Sequence, residues 1–258
     1  MNVRFAFGTI GRMTKTGILV HVYHLDTTAW EAMVWGRPEQ DELGSVTKLV
    51  ECLLDMPADE QVSAIIYSGP SQKDGLTEGG YMKQYLLDRF DRLQEFPRLR
   101  KRLEQAPEDV RNLLLERIQA IALGPELRNT ADEVQFAAKY FRDEQVDRVF
   151  QVAAATHAPR CLREQVSARY HGLIDKNQKW YVVASDVNYE GISPDDVIIA
   201  EPIHRQDNPL YGFRPAWAEV AKMYPRLSTG NKKELLRRMD ANMQELLANQ
   251  PASTEVRN

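Results

Sequence analysis

At 258 residues, with 43% hydrophobic and 27% charged side chains, the chain has ordinary globular composition and enough length to bury a sizeable core. A net charge of −4 offers no overall basic field to nucleic acid or an anionic membrane, and two cysteines, Cys52 and Cys161, fit reduced thiols rather than a disulfide framework. The first residues, MNVRFAFGTIGRMTKTGILVHVYHL, are interrupted by Gly, Arg, Lys and Thr and lack the apolar core of an export signal; with no stretch long enough to span a bilayer, the expectation is a soluble cytoplasmic protein.

Strand-like segments are expected at Gly17–Leu25, Trp30–Trp35, Val62–Tyr67, Asp147–Ala155, Lys179–Ser185 and Val197–Ala200. Most alternate with helical periodicity, at Glu42–Asp55, Glu78–Phe90, Asp132–Arg142 and Leu162–Tyr170. This is the signature of βαβ units and a mostly parallel sheet. ILVHVYHL alternates apolar with polar-capable residues, as an edge or half-exposed strand does, whereas AIIY and VFQVAAA read as central. Between Arg89 and Ile121 two Pro-punctuated amphipathic helices form an excursion from the sheet, and their basic run Arg98, Arg100, Lys101, Arg102 reads as a solvated face. Helices follow Pro215, and NQPASTEVRN reads as a frayed tail. The division expected is an α/β domain over residues 1–205, carrying a helical insertion at 89–121, and a helical extension over 206–258.

Ligands of open parallel sheets bind beyond the carboxyl ends of the strands. Those ends carry Gly36-Arg37-Pro38, Ser68-Gly69-Pro70-Ser71, Thr156-His157-Ala158-Pro159-Arg160 and Asp186-Val187-Asn188, all small, polar or charged. Gly36 and Gly69 let backbone approach a ligand closely, and a helix starting near Thr77–Glu78 aims free N–H groups into the cleft. Glu78 at that helix start is equally explained by the macrodipole, but Gly79 and Gly80 are poor helix formers and need another reason. Thr130 and Glu133 have the spacing of a capping box. His157 and Cys161, four residues apart, suggest a metal face, yet two ligands without a third fall short of the usual sets, and no metal is expected. His157 is better read as a hydrogen-bonding or proton-transferring group, with Arg160 holding an anion. Phosphate-loop, dinucleotide, nucleophile-elbow, C-x-x-C and H-E-x-x-H motifs are all missing from the sequence.

Taken in order, Val34-Trp35-Gly36, Ser68-Gly69, Glu78 with Met82, Asn129-Thr130-Ala131-Asp132-Glu133 and Thr156-His157-Ala158-Pro159-Arg160 resemble the YdcF/SanA/ElyC-like family, a domain of unknown function. The resemblance covers roughly Trp30 to Arg163, with Asp132-Glu133 where the family has Glu-Asn and a longer helical excursion before Ile121. Lacking the N-terminal membrane segment of SanA- and ElyC-like members, the chain is similar to the cytosolic YdcF-like branch. The resemblance implies a Rossmann-like α/β/α sandwich with a cleft at the switch point. It also implies that Glu78, Thr130, Glu133, His157 and Arg160 form one constellation, joined by Gly36, Arg37, Ser68, Gly69 and Thr156. A nucleotide-like ligand such as S-adenosylmethionine, or a phosphorylated small molecule, fits helix N-termini plus Arg160; Glu78 and Glu133 suit a ribose hydroxyl or an amino group.

The leading expectation is therefore an enzyme or binding protein for such a molecule, with His157 as general acid/base, Arg160 on an anion, and Glu78 and Glu133 orienting the ligand. A non-catalytic adaptor that binds a protein partner through helices 89–121 is a second reading. A hydrolase using Ser68 or Ser71 with His157 as base is a third.

Overall fold

The main sheet is built outward from one central strand, with two strands on either side of it. The computed structural model describes residues 14–189 except Arg128, and several residues between 228 and 241. In chain order the elements are β1 (Lys15–Val20), α1 (Trp30–Val34), β2 (Gly36–Arg37), β3 (Glu42–Leu43), α2 (Ser45–Leu54), β4 (Gln61–Ser68), β5 (Gln72–Lys73), β6 (Leu76–Thr77), α3 (Glu78–Asp88), α4 (Pro97–Gln105), α5 (Glu108–Gln119), β7 (Ala122–Glu126), α6 (Thr130–Asp143), β8 (Arg148–Ala154), α7 (Ala158–Tyr170) and β9 (Lys179–Ser185). The main sheet has five strands in the order β7-β4-β1-β8-β9, every pairing parallel.

Alternation along each strand feeds two cores. Ile18, Val20, Ile66, Val152 and Ala154 pack toward α1 to α5. Leu19, Ile65, Tyr67 and Val149 pack toward α6 and α7 around Phe141. The result is a Rossmann-like three-layer sandwich, as the βαβ alternation requires. Among the described residues no helix is long and apolar enough to cross a membrane.

Several expectations need correction. Trp30–Val34 is a helix, not a strand: Trp30, Met33 and Val34 share one helical face, and Met33 and Val34 are buried. The strand that fills the fifth place is β7, whose ALGPE carries Gly124 and Pro125. Proline is tolerated there because β7 is an edge strand, and the pairing register with β4 shifts between Ile66 and Ser68. β1 is the central strand, not an edge, and ends at Val20; His21 and Tyr23 beyond it are buried because polar partners meet them. Glu42 belongs to the β2–β3 hairpin, and the helix starts only at Ser45. Val197–Ala200 lies outside the described residues.

The helices between Arg89 and Ile121 form as expected but are not an excursion. Leu93, Phe96, Leu99, Leu114 and Ile118 bury themselves in the first core, so α4 and α5 belong to its covering layer. The basic run is only partly a solvated face. Arg98 bonds the Asp41 carbonyl and the Asp186 carboxylate, and Arg102 pairs with Asp55 at 2.7 Å, while Arg100 and Lys101 are exposed. The chain divides into compact units Met1–Ile199 and Ala200–Asn258, and in the latter residues 230–235 are helical.

Candidate functional site at the switch point

The strand order reverses between β1 and β8, the position beyond whose strand ends open parallel sheets hold their ligands. His21 follows β1 directly, its N–H still bonded to the Val152 carbonyl at 3.0 Å. Alternation places it on the same face as Leu19, toward α6 and α7. His157 lies in the turn after β8, with the rings of His21 and His157 5.2 Å apart, centroid to centroid.

Helix α6 brings two side chains to these imidazoles. Its N-cap is Asn129, whose Oδ1 accepts from Asp132 N at 3.0 Å. The expected capping box at Thr130 and Glu133 is therefore replaced: Asn129 holds the helix start, and Thr130 and Glu133 are released for the crevice. They are three apart, on one helical face, and each is 7% exposed. Glu133 Oε2 lies 2.5 Å from His21 Nδ1, and Thr130 Oγ1 lies 2.9 Å from His157 Nε2.

Helix α7 adds Cys161, fully buried in its first turns. Pro159 fits the start of this helix, where a missing N–H is harmless. Below, a polar chain runs from His21 Nε2 to Gln151 Oε1 at 3.3 Å, from Gln151 Nε2 to Gln165 Oε1 at 3.0 Å, and from Gln165 Nε2 to the Trp180 carbonyl at 3.1 Å. Tyr23 Oη accepts from Ala154 N–H at 2.5 Å and packs its ring on His157.

Two polar atoms of the β8 turn, His157 Nδ1 and Thr156 Oγ1, are buried and have no hydrogen-bond partner. Burial, with His21 and Arg160 nearby, pushes the His157 pKa down to about 3. Burial thus favours the neutral ring, which offers a lone pair on one nitrogen. Burial works against a charge on His21, but Cys161 and Glu133 outweigh it and raise that pKa. Arg160 is exposed and forms no ion pair among the described residues.

The remaining expected residues lie in other constellations. Glu78, 3% exposed, accepts from Ser71 Oγ and, at 3.4 Å, from Ser71 N. A Cβ on Gly69 would collide with the Glu78 carboxylate, and one on Gly79 with the Tyr67 carbonyl. Those glycines serve close packing of α3 on the end of β4. Ser68 Oγ bonds Thr77 Oγ1 at 2.8 Å, and Thr77 in turn caps α3. No hydrogen bond joins Ser68 or Ser71 to His157. Gly36, at φ 110°, pairs with Leu43 in the β2–β3 hairpin, where a Cβ would collide with the Glu42 carbonyl, and Arg37 pairs across it with Glu42 at 3.0 Å. The hairpin is bonded to the end of β9 through Asp186 and Leu43 at 2.9 and 2.8 Å.

His21, Tyr23, Cys161 and Gln151 were not among the expected site residues. The signal for His21 was present: a histidine directly after a fully apolar strand segment stands where a parallel sheet places its ligand. No family model, no curated protein and no solved structure matches this chain.

Proposed function

We propose that the crevice between the ends of β1 and β8 binds an anion-bearing small molecule, nucleotide-like or phosphorylated, and that the chain acts on it as a YdcF-like enzyme. The observation that carries this reading is the pair of buried, unpartnered atoms, His157 Nδ1 and Thr156 Oγ1, on adjacent residues of the turn after β8. Buried polar groups without partners are rare in folded proteins and mark places where something else binds. Arg160, exposed at the rim on the first turn of α7, is the cation for the ligand's anionic group.

The carboxylates take lesser parts than the resemblance implies. Glu133 acts through His21, and Glu78 acts by fixing the loop that holds Ser71. Neither is then free for a ribose, so a phosphorylated ligand fits better than S-adenosylmethionine. The hydrolase reading has no serine bonded to His157. The adaptor reading loses the apolar faces of α4 and α5, which are turned inward.

The test is mass spectrometry of small molecules released by denaturing the purified chain. A phosphorylated compound should leave the wild type and be missing from Arg160→Glu, while circular dichroism shows the variant folded. Arg160→Lys should retain less than wild type, because the planar fork is lost with the charge kept. Equal release from all three proteins would refute the reading.

A further inference from the structure

His21, His157 and Cys161 arrive from the end of β1, the end of β8 and the first turns of α7, and one ligand atom from each lies within 4.8 Å of the others. Two imidazoles and a thiol are donors that zinc accepts, and tetrahedral zinc needs three such protein ligands to leave one position open for chemistry. The third group that the pair His157 and Cys161 lacked in sequence is supplied by the fold.

The outer partners match the same purpose. Metal-binding histidines are held by a hydrogen bond on one ring nitrogen, which fixes the tautomer and bares the other. Both imidazoles here have that arrangement, and both partners come from α6: Glu133 Oε2 at 2.5 Å from His21 Nδ1, and Thr130 Oγ1 at 2.9 Å from His157 Nε2. The opposite nitrogen of His157, Nδ1, is buried and unpartnered. The opposite nitrogen of His21 has one competing acceptor, Gln151 Oε1, at 3.3 Å, the longest of these contacts.

We propose that His157 Nδ1, His21 Nε2 and Cys161 Sγ hold a zinc ion, with Glu133 and Thr130 as positioning residues and a fourth position open to water or ligand. Cys161 binds as the thiolate and His21 through a bare Nε2, so the thiol proton and the Nε2 proton now facing Gln151 Oε1 both leave to solvent as the ion enters. His157 then holds the ion rather than moving a proton itself. The proposal rests on the crevice reading only for what fills the fourth position; the ion is tested without any small molecule.

The full-length chain, stripped with a chelator, is titrated with cobalt(II) and then with zinc. One equivalent of cobalt should bind and give thiolate-to-cobalt charge-transfer absorption in the near ultraviolet, which zinc abolishes by displacement. Cys161→Ser should remove that absorption, while Cys52→Ser keeps it. Glu133→Gln should weaken cobalt binding by about 10- to 100-fold, the range for losing an outer partner, and His157→Ala, which removes a ligand, should weaken it further. Circular dichroism establishes that each variant is folded. In the wild type alone, zinc should raise Tm, since it binds only the native arrangement. Absence of saturable one-to-one uptake, an unchanged wild-type Tm, or an absorption band that survives Cys161→Ser would each overturn the site. A site that binds zinc in a protein that releases no phosphorylated compound would leave the ion standing and remove the proposed ligand.

Discussion

Gly79 and Gly80 stand side by side in the first turn of α3, yet their surroundings differ enough to give opposite expectations. A methyl group on Gly79 would run into the backbone carbonyl of Tyr67, which cannot move without disturbing β4, whereas one on Gly80 meets the Thr77 hydroxyl at 3.3 Å. Alanine is favoured over glycine in a helix by about 1 kcal/mol, but overpacking against fixed backbone costs about 1–3 kcal/mol. Gly79→Ala should therefore destabilise the chain in urea unfolding while Gly80→Ala stays close to neutral; the reverse order would mean that α3 does not sit on β4 as described. Cys52 on α2 makes a second prediction at this scale. Burial pushes its thiol up to about 11, with Lys48 opposing and Asp55 and Glu51 assisting. A raised folded pKa means that the contribution to stability is intact below the unfolded value, near 9, and is lost as pH climbs through about 11. Over that window wild type should lose on the order of 2 kcal/mol more than Cys52→Ala, two pKa units being worth about that much. Parallel pH profiles of the two proteins would dispose of the idea.

Helix α6 shows how a correct element can carry a misread residue. Its position was readable from the spacing of Val134, Ala137, Ala138 and Phe141, all fully buried against the sheet. Its start was not, because Asn129 and Thr130 are both good caps and only the fold decides between them. Asn129 takes the cap, which turns Thr130 and Glu133 into crevice residues. Asn129→Ala should then cost about 1 kcal/mol of stability and leave cobalt uptake unchanged, while Thr130→Ala should weaken that uptake with the helix start intact. Circular dichroism melts alongside the cobalt titration separate the two effects, and a cap role for Thr130 would show as the same loss of stability in both variants. Short elements were the hardest to read. WEAMV in α1 and ALGPE in β7 are too brief for a period to declare itself, and the Gly and Pro of β7 speak for a loop until the edge position is known. The site was legible at His157 and Arg160, which share a strand end, and at Thr130 and Glu133 through the family resemblance; His21 and Cys161 join it only through pairing of β1 with β8 and packing of α6 on α7.

Across the molecule, parts distant in sequence are tied by a few long side chains, and Arg98 is one of them. It sits at the start of α4 and is 32% exposed, yet it bonds the Asp41 carbonyl beside the β2–β3 hairpin and the Asp186 carboxylate after β9. Its backbone N–H also donates to Asp41 Oδ1 at 3.2 Å. One guanidinium thus joins the first covering layer, the hairpin and the far edge of the sheet. These bonds, with the buried faces of α4 and α5, tie the segment 89–121 to the rest of the domain. Hydrogen bonds to charged groups contribute about 1.5–3 kcal/mol when buried, and solvent at this exposure reduces that, so Arg98→Ala should cost about 1–2 kcal/mol. Arg98→Lys should lose most of the same amount, because an ammonium reaches one acceptor where the planar fork bridges carbonyl and carboxylate. Salt distinguishes the two contributions. The ion pair with Asp186 weakens at about 1 M salt, where the screening length falls to about 3 Å, while the bond to a neutral carbonyl persists. Urea unfolding of wild type, Arg98→Lys and Arg98→Ala at low and high salt reads both contributions. If Arg98→Lys matches wild type at low salt, a point charge suffices, the bridging geometry contributes nothing, and the hairpin is held to the end of β9 by the Leu43 N–H on the Asp186 carboxylate and the Asp186 N–H on the Leu43 carbonyl.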